Sequence, residues 1–346
     1  MYSSAVRRVS RSLSRLAVHG ERLRVKLARF GNRSHPYGPP RLPDPSQPVT
    51  VAVTNFWDGF DPESGFVKVL LDRAFGSWRV IDSPRRADIV LTSVFPHVGT
   101  AYPAKTVAII WENHRPCYEC YHWSLSCDFE DHGGRNVRLP QWTSTLMWRD
   151  GVRQPPISCG GAHGHEDSLD IDVLMRRREG PRPARGRFCG FVARNPVAFR
   201  MAAAEALSAI APVDLYGPIT GRPDPRSKFE ILADHDFSLC FENSVHPGYH
   251  TEKVLHAWAA GTIPLYWGAE SVGRDFNPAA FVNRIDFPDT ESFVAHVRAL
   301  AADPDRIEAM WREPILLDRP DLGPAIDLLA GVLETARAGR TPGRTI

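Results

Sequence analysis

The sequence predicts an α/β protein of two parallel-sheet domains, and three observations lead there. The length of 346 residues exceeds what one core usually sustains, because single cores stop growing near roughly 250–300 residues. From residue 187 onward, short apolar runs alternate with runs of helical period, the pattern of parallel strands covered by helices on both faces. Between the halves, residues 150–186 are rich in Gly, Pro and Arg (GVRQPP, GGAHGHED, RRREGPRPARG) and read as a long, mobile connection or insertion.

In chain order, residues 1–48 form a basic segment followed by a Pro-rich linker (HPYGPPRLPDPSQP at 35–48). A first domain over 49–150 holds strands at 49–54, 78–82, 87–92, 105–111, 123–128 and 136–139, with a helix at 65–75. A linker over 151–185 leads to the second domain, 186–315. Its strands fall at 187–193, 213–216, 236–241, 262–266 and 281–285, and its helices at 197–210, 226–234, 251–260 and 290–302. Residues 316–346 make a terminal helix and tail, the helix at 324–338 crossing back over the first domain. Ligands of open parallel sheets bind beyond the carboxyl ends of the strands, so the active site is expected in the cleft between the two domains. No GxGxxG follows a strand and no GxxxxGK[ST] occurs, which removes the usual support for a nicotinamide enzyme or a P-loop NTPase.

The 42 basic residues balance 40 acidic ones, a net charge of +2, so no broad electrostatic case for nucleic acid exists. The basic excess is local. Residues 1–30 hold eight Arg or Lys against Glu21, interleaved with Val6, Val9, Leu13, Leu16, Leu23 and Leu27. No apolar run of 18 residues occurs, so the expected location is cytoplasmic, with peripheral contact through this segment at the inner face of a bacterial membrane. Cys189 and Cys240 sit in apolar strands as packed thiols. Cys117, Cys120 and Cys127, near His114 and His122, have a spacing in which zinc must be weighed, but one CxxC without a second pair is a weak signal, and reduced thiols are expected.

The most informative stretch is 237–268, FSLCFENSVHPGYHTEKVLHAWAAGTIPLYWG. It reads as strand, polar loop, helix opening at Thr251, a stop at Gly261, and a second strand. A helix start favours anions, and Lys253 in the first turn adds a full positive charge. Arg200, beyond the strand FCGFVA, offers the bidentate fork that suits phosphate.

FENSVHPGYHTEK followed by AGTIPLYWGAESVGRDFNP resembles the donor-binding signature of glycosyltransferase family 10, the α-1,3/1,4-fucosyltransferases, and is most similar to the soluble bacterial members. FCGFVARNPVAFR, VDLYGP and FVNRIDFPD extend the resemblance over about 186–315, while VAVTNFW and AIIWEN carry it faintly into the first domain. The resemblance implies a GT-B fold and an inverting transfer of L-fucose from GDP-fucose to an oligosaccharide or glycoconjugate acceptor. The linkage it points to is α-1,3 to N-acetylglucosamine or a related sugar, in the building of protein-linked or cell-surface glycans. It implies that Arg200 and Lys253 bind the diphosphate, that Glu252 contacts ribose or fucose and shares in catalysis, and that Asn243 and Tyr249 contact the nucleotide sugar. Glu112, at the end of AIIWE, falls in the segment that supplies the base, and enclosure beside Trp111 is expected to raise its pKa. No cofactor and no metal is expected: the DxD at Asp170 to Asp172 lies in the polar linker. Arg194 and His250 depart from the family pattern, where a small serine and an apolar residue are more usual. A relative moving a different sugar, and a non-catalytic nucleotide-sugar or glycan binder that needs no base, are the competing readings.

Overall fold

A computed structural model describes residues 47–94, 102–148, 168–221 and 224–338; the basic segment 1–30 lies outside them. The chain divides into two units: residues up to 63 with 67–139 and 322–346, and residues 64–66 with 140–321.

The first unit is a six-stranded, wholly parallel sheet. Its elements are β1 (Val49–Thr54), α1 (Gly65–Phe75), β2 (Trp78–Val80), β3 (Ile89–Thr92), β4 (Thr106–Ile109), β5 (Trp123–Ser126) and β6 (Asn136–Arg138), in spatial order β2-β1-β3-β4-β5-β6. The strands β3 and β4 are buried at every residue, which is why they read as continuous apolar runs without alternation. Cys117 and Cys120 are joined by a disulfide, with Cα atoms 5.4 Å apart, which corrects the expectation of reduced thiols there. Their side chains pack beside Ala108, Ile110 and Tyr121, so the pair closes the turn that follows β4. Cys127, Cys189 and Cys240 are free and buried.

The second unit begins at Pro140, not after 150, because residues 141–148 pack within it. The indole of Trp142 donates to Asp275 at 3.0 Å, and β7 (Leu146–Met147) pairs with β8 (Leu169–Asp170). A short helix, α2 (Ile171–Leu174), follows under an Asp170 cap. The segment read as a mobile linker is, over its described part, a fixed strap. Arg178 donates to the carbonyls of Trp258 and of Trp311, the latter at 3.1 Å, and its guanidinium lies 3.7 Å from the Trp258 ring centroid. Arg182 pairs with Asp236 at 2.5 Å, and Arg185 donates to the carbonyl of Ala233. Helix carboxyl ends leave carbonyls without intrahelical partners, and Arg178 and Arg185 supply donors to them.

The remaining elements are β9 (Arg187–Val192), α3 (Ala198–Leu207), β10 (Val213–Tyr216), α4 (Lys228–Ala233), β11 (His235–Phe241), α5 (Lys253–Ala259), β12 (Ile263–Trp267), β13 (Val282–Asn283), α6 (Thr290–Ala301), α7 (Pro304–Arg312) and α8 (Gly323–Arg337). The sheet is parallel throughout, in order β10-β9-β11-β12-β13. Its core joins Phe191, Phe237, Leu265, Phe293, Val297 and Trp311. Helix α8 packs on β3, β6 and the 3₁₀ turn Pro103–Lys105 of the first unit. Helix α7 was not expected from periodicity, yet its start is chemically explicit: Asp303 accepts from the Arg306 amide and Pro304 occupies the first turn.

Candidate active site

The central strand β11 ends at Phe241, and the next residue, Glu242, is fully buried. Its amide donates to the carbonyl of Trp267 at 2.8 Å, extending the ladder with β12 by one residue. A buried carboxylate is costly unless bonded and paired, and Glu242 is both. Its Oε1 accepts from the Thr251 amide at 2.8 Å, and the Thr251 hydroxyl lies 2.9 and 2.8 Å from its two oxygens. Its Oε2 accepts from Lys253 Nζ at 2.8 Å. Lys253 thus arrives held: burial works against its charge, but Glu242 and Glu252 outweigh this and raise its pKa. Thr251 is spent on Glu242, which is why α5 begins at Lys253 rather than at Thr251.

Glu252 takes the cap position of α5 without a side-chain cap bond. Burial alone would raise its pKa, but the charges of Lys253 and Lys228 prevail and lower it to about 2. Its amide donates to Gln141 Oε1 at 2.9 Å. Behind it, Lys228 Nζ lies 2.9 Å from His256 Nδ1, and burial followed by the Lys228 charge pushes the His256 pKa well down.

Arg200 comes from the first turn of α3 and is only 3% exposed. Its Nη1 donates to Asn243 Oδ1 at 2.8 Å, and its guanidinium sits 4.8 Å from the Phe191 ring centroid. Its Nε is buried without a hydrogen-bond partner. Among the described residues it forms no ion pair within 4 Å; burial lowers its pKa, with Glu242 and Glu252 acting in the opposite direction. Arg200, Asn243, Glu242, Glu252 and Lys253 are therefore one electrostatic cluster, a guanidinium and an ammonium gathered at the carboxyl end of β11.

The loop 243–252 is pinned. His250, fully buried, has Nδ1 2.5 Å from Asp275 Oδ2 and Nε2 3.0 Å from Ser271 Oγ. The Gly248 amide donates to the same Ser271 hydroxyl at 2.9 Å, with φ at +86° where a side chain would be strained. The departure at His250 is therefore an internal brace, whereas Arg194 is exposed. Tyr249 is buried and its amide donates to the His246 carbonyl at 2.9 Å. The DxD carboxylates have local duties: Asp170 caps α2 and Asp172 pairs with Arg319. Among the described residues no group of His, Cys, Asp or Glu is arranged to hold a metal, and no helix is long and apolar enough to cross a membrane.

Glu112 belongs to the first unit, three residues beyond the end of β4. Its carbonyl accepts from the His114 amide at 2.7 Å, and that turn leaves the residue exposed. The enclosure expected beside Trp111 is not found, because the strand ends at Ile109 rather than at 111. Glu242 was missed by sequence reasoning. Its signal was an acid directly following the mainly apolar run 237–241 of the central strand, with Thr and Lys nine and eleven residues on.

With this geometry established, residues 188–316 match the family described as glycosyltransferase family 10 (fucosyltransferase) C-term. That stretch lies within the second unit. The chain is 41% identical over 211 residues to an alpha-(1,3)-fucosyltransferase FucT of Helicobacter pylori, over 57% of this chain and 44% of that protein. It is 33% identical over 130 residues to the human 3-galactosyl-N-acetylglucosaminide 4-alpha-L-fucosyltransferase FUT3, over 35% of each. The matches thus span less than half the length of these relatives. Among solved structures, an alpha1,3-fucosyltransferase with GDP-fucose superposes with a TM-score of 0.61 at 22% identity, over 91% of this chain and 94% of that one. One with GDP gives 0.62 at 24% identity, over 86% and 93%. The fold class is accordingly α/β of the GT-B type, each unit a Rossmann-like parallel sheet.

Proposed function

We propose that this chain is an inverting fucosyltransferase that moves L-fucose from GDP-fucose to a hydroxyl of a glycan acceptor, α-1,3 to N-acetylglucosamine or a related sugar. The observation that carries the donor side is Arg200. A buried guanidinium that, among the described residues, is hydrogen-bonded only to a neutral amide and has an orphaned Nε is a cation awaiting an anion. A diphosphate fits that need, and its departure is the charge that Arg200 and Lys253 neutralise as the glycosidic bond breaks. Because these side chains supply positive charge, activity is expected to survive a chelator; complete loss with EDTA, restored by a divalent ion, would overturn that assignment.

Glu252 and Asn243 border the same cluster and are assigned to contacts with the nucleotide sugar, as is Tyr249. Glu112 is assigned as the base that takes the proton from the acceptor hydroxyl. Glu112→Gln should lose transfer by about 100-fold or more, the range of general-base catalysis, while GDP affinity by calorimetry is unchanged; a variant with full turnover removes Glu112 from the mechanism. The assay for the function is release of GDP from GDP-fucose with and without acceptor. A binder without catalysis releases none, and a transferase for another sugar releases it only from another donor. The basic, leucine-interleaved segment 1–30 is assigned to anionic lipid; unchanged sedimentation with phosphatidylglycerol vesicles after its removal would refute this.

A further inference from the structure

The loop between β11 and α5, residues 243–252, carries Asn243 and Glu252 at its two ends and Tyr249 between them, without a turn of helix or strand of its own. Fixing a segment of that length is entropically unfavourable, and the penalty falls on the ligand unless the protein has already met it. The outer half of the loop is open: Asn243, Val245 and Pro247 are exposed, whereas Gly248, Tyr249 and His250 are buried. Whatever holds the loop must therefore act at 248–250.

The holding groups come from the turn after the neighbouring strand. β12 lies beside β11 in parallel register, with Phe241 opposite Trp267, and the 3₁₀ turn Glu270–Arg274 that follows β12 supplies Ser271 and closes on Asp275. The His250 ring bridges these two, with Nδ1 2.5 Å from Asp275 Oδ2 and Nε2 3.0 Å from Ser271 Oγ. The same Ser271 oxygen accepts from the Gly248 amide at 2.9 Å, so one hydroxyl meets both the ring and the loop backbone. Asp275 is steadied in turn by the Trp142 indole at 3.0 Å, and the Trp142 and His250 rings both lie against Phe276, at 5.3 and 6.3 Å between centroids. Gly248 depends on this anchor most, because its φ of +86° belongs to the residue with the most conformational freedom to lose. An apolar side chain would fill the space of His250, but a fully bonded polar network admits one geometry where apolar packing admits several.

We propose that His250 and Ser271 are positioning residues that hold the loop in its nucleotide-binding form before the ligand arrives, and so set affinity for the GDP moiety rather than the rate of transfer. This rests on the GDP-fucose reading given above. The probe is GDP, titrated by calorimetry into the full chain and into Ser271→Ala, His250→Leu, His250→Asn and His250→Gln, with melting temperature and amide exchange over 243–252 recorded for each. Gln places its amide near the position of Nε2 and keeps the bond to Ser271, whereas Asn reaches only the position of Nδ1. Ser271→Ala, His250→Leu and His250→Asn should bind GDP about tenfold more weakly and exchange the loop amides faster. His250→Gln should recover most of both, and the donor KM of all four should follow GDP affinity while kcat and acceptor KM stay constant. Equal GDP affinity in all variants overturns the inference and leaves the donor reading standing, as does affinity that falls only in step with melting temperature and alike for Asn and Gln. No binding of GDP to the natural sequence overturns the donor reading, and this role of His250 with it.

Discussion

Lys253 cannot be removed without leaving the buried Glu242 carboxylate without its ion-pair partner. Truncating one member of such a pair costs about 3–5 kcal/mol, so Lys253→Ala should lower the melting temperature as well as donor binding. Lys253→Met combined with Glu242→Gln removes both charges and should restore most of the melting temperature but not the turnover. A single Lys253→Ala variant with the original melting temperature would show that the pair is not coupled. Arg200→Lys keeps the charge and loses the fork; GDP-fucose binding should weaken about tenfold or more, seen as a rise in donor KM with acceptor KM unchanged. Glu252 gives a pH signature. Its folded pKa of about 2 lies below the ordinary 4.5, so its contribution is complete above pH 4.5 and is lost as pH falls from there toward 2. Glu252→Gln should flatten that part of the acid unfolding profile; an unaltered slope contradicts the assignment of its charge.

At the scale of elements, α5 is held at both ends. Its start is fixed by Glu242 and Gln141, and its end by Gly261, at φ +80°, and by Arg178 and Arg185 on the strap. Burial, then its neighbours Arg185 and Arg182, lower the Arg178 pKa to about 9, a measure of how far it is enclosed against Trp258 and Trp311. Arg178→Ala should cost about 2 kcal/mol, from lost stacking and hydrogen bonds together; retention of the thermal midpoint would mean the strap is not structural. The strands β3, β4 and the 237–241 part of β11 were legible because a buried parallel strand is a largely apolar run. The strap was not, because Gly, Pro and Arg enrichment describes a loop equally well whether its arginines face water or carbonyls. Helix α7 was overlooked because its mostly polar sequence hides an apolar pair, Ile307 and Trp311, that alone is buried. Helix α4 came out shorter than expected since Arg226 is engaged by Asp224 and Asp234, and the capping box falls on Ser227 and Glu230.

Across the whole molecule, the second unit was the more legible. Its site residues sit in one contiguous stretch, and the chemistry of TEK at a helix start suggests itself; what the sequence hid was Glu242, whose role appears only when Thr251 and Lys253 fold back onto it. In the first unit the aromatic corner after β1 and Trp111 lie 54 residues apart, from Trp57 to Trp111, and no spacing rule joins them; parallel strand order does. The boundary at 140 was hidden for a similar reason, since Trp142 is recruited by Asp275 from the far end of the second unit's chain. The measurement that bears most directly on the central claim is incubation of the full chain with labelled GDP-fucose and a panel of galactosyl-N-acetylglucosamine acceptors, with the product linkage read by NMR. The expected result is GDP release that depends on acceptor and on Arg200, with fucose α-1,3-linked to N-acetylglucosamine and its anomeric configuration inverted. Fucose transferred with retention, or no acceptor-dependent GDP release from any member of the panel, would contradict it.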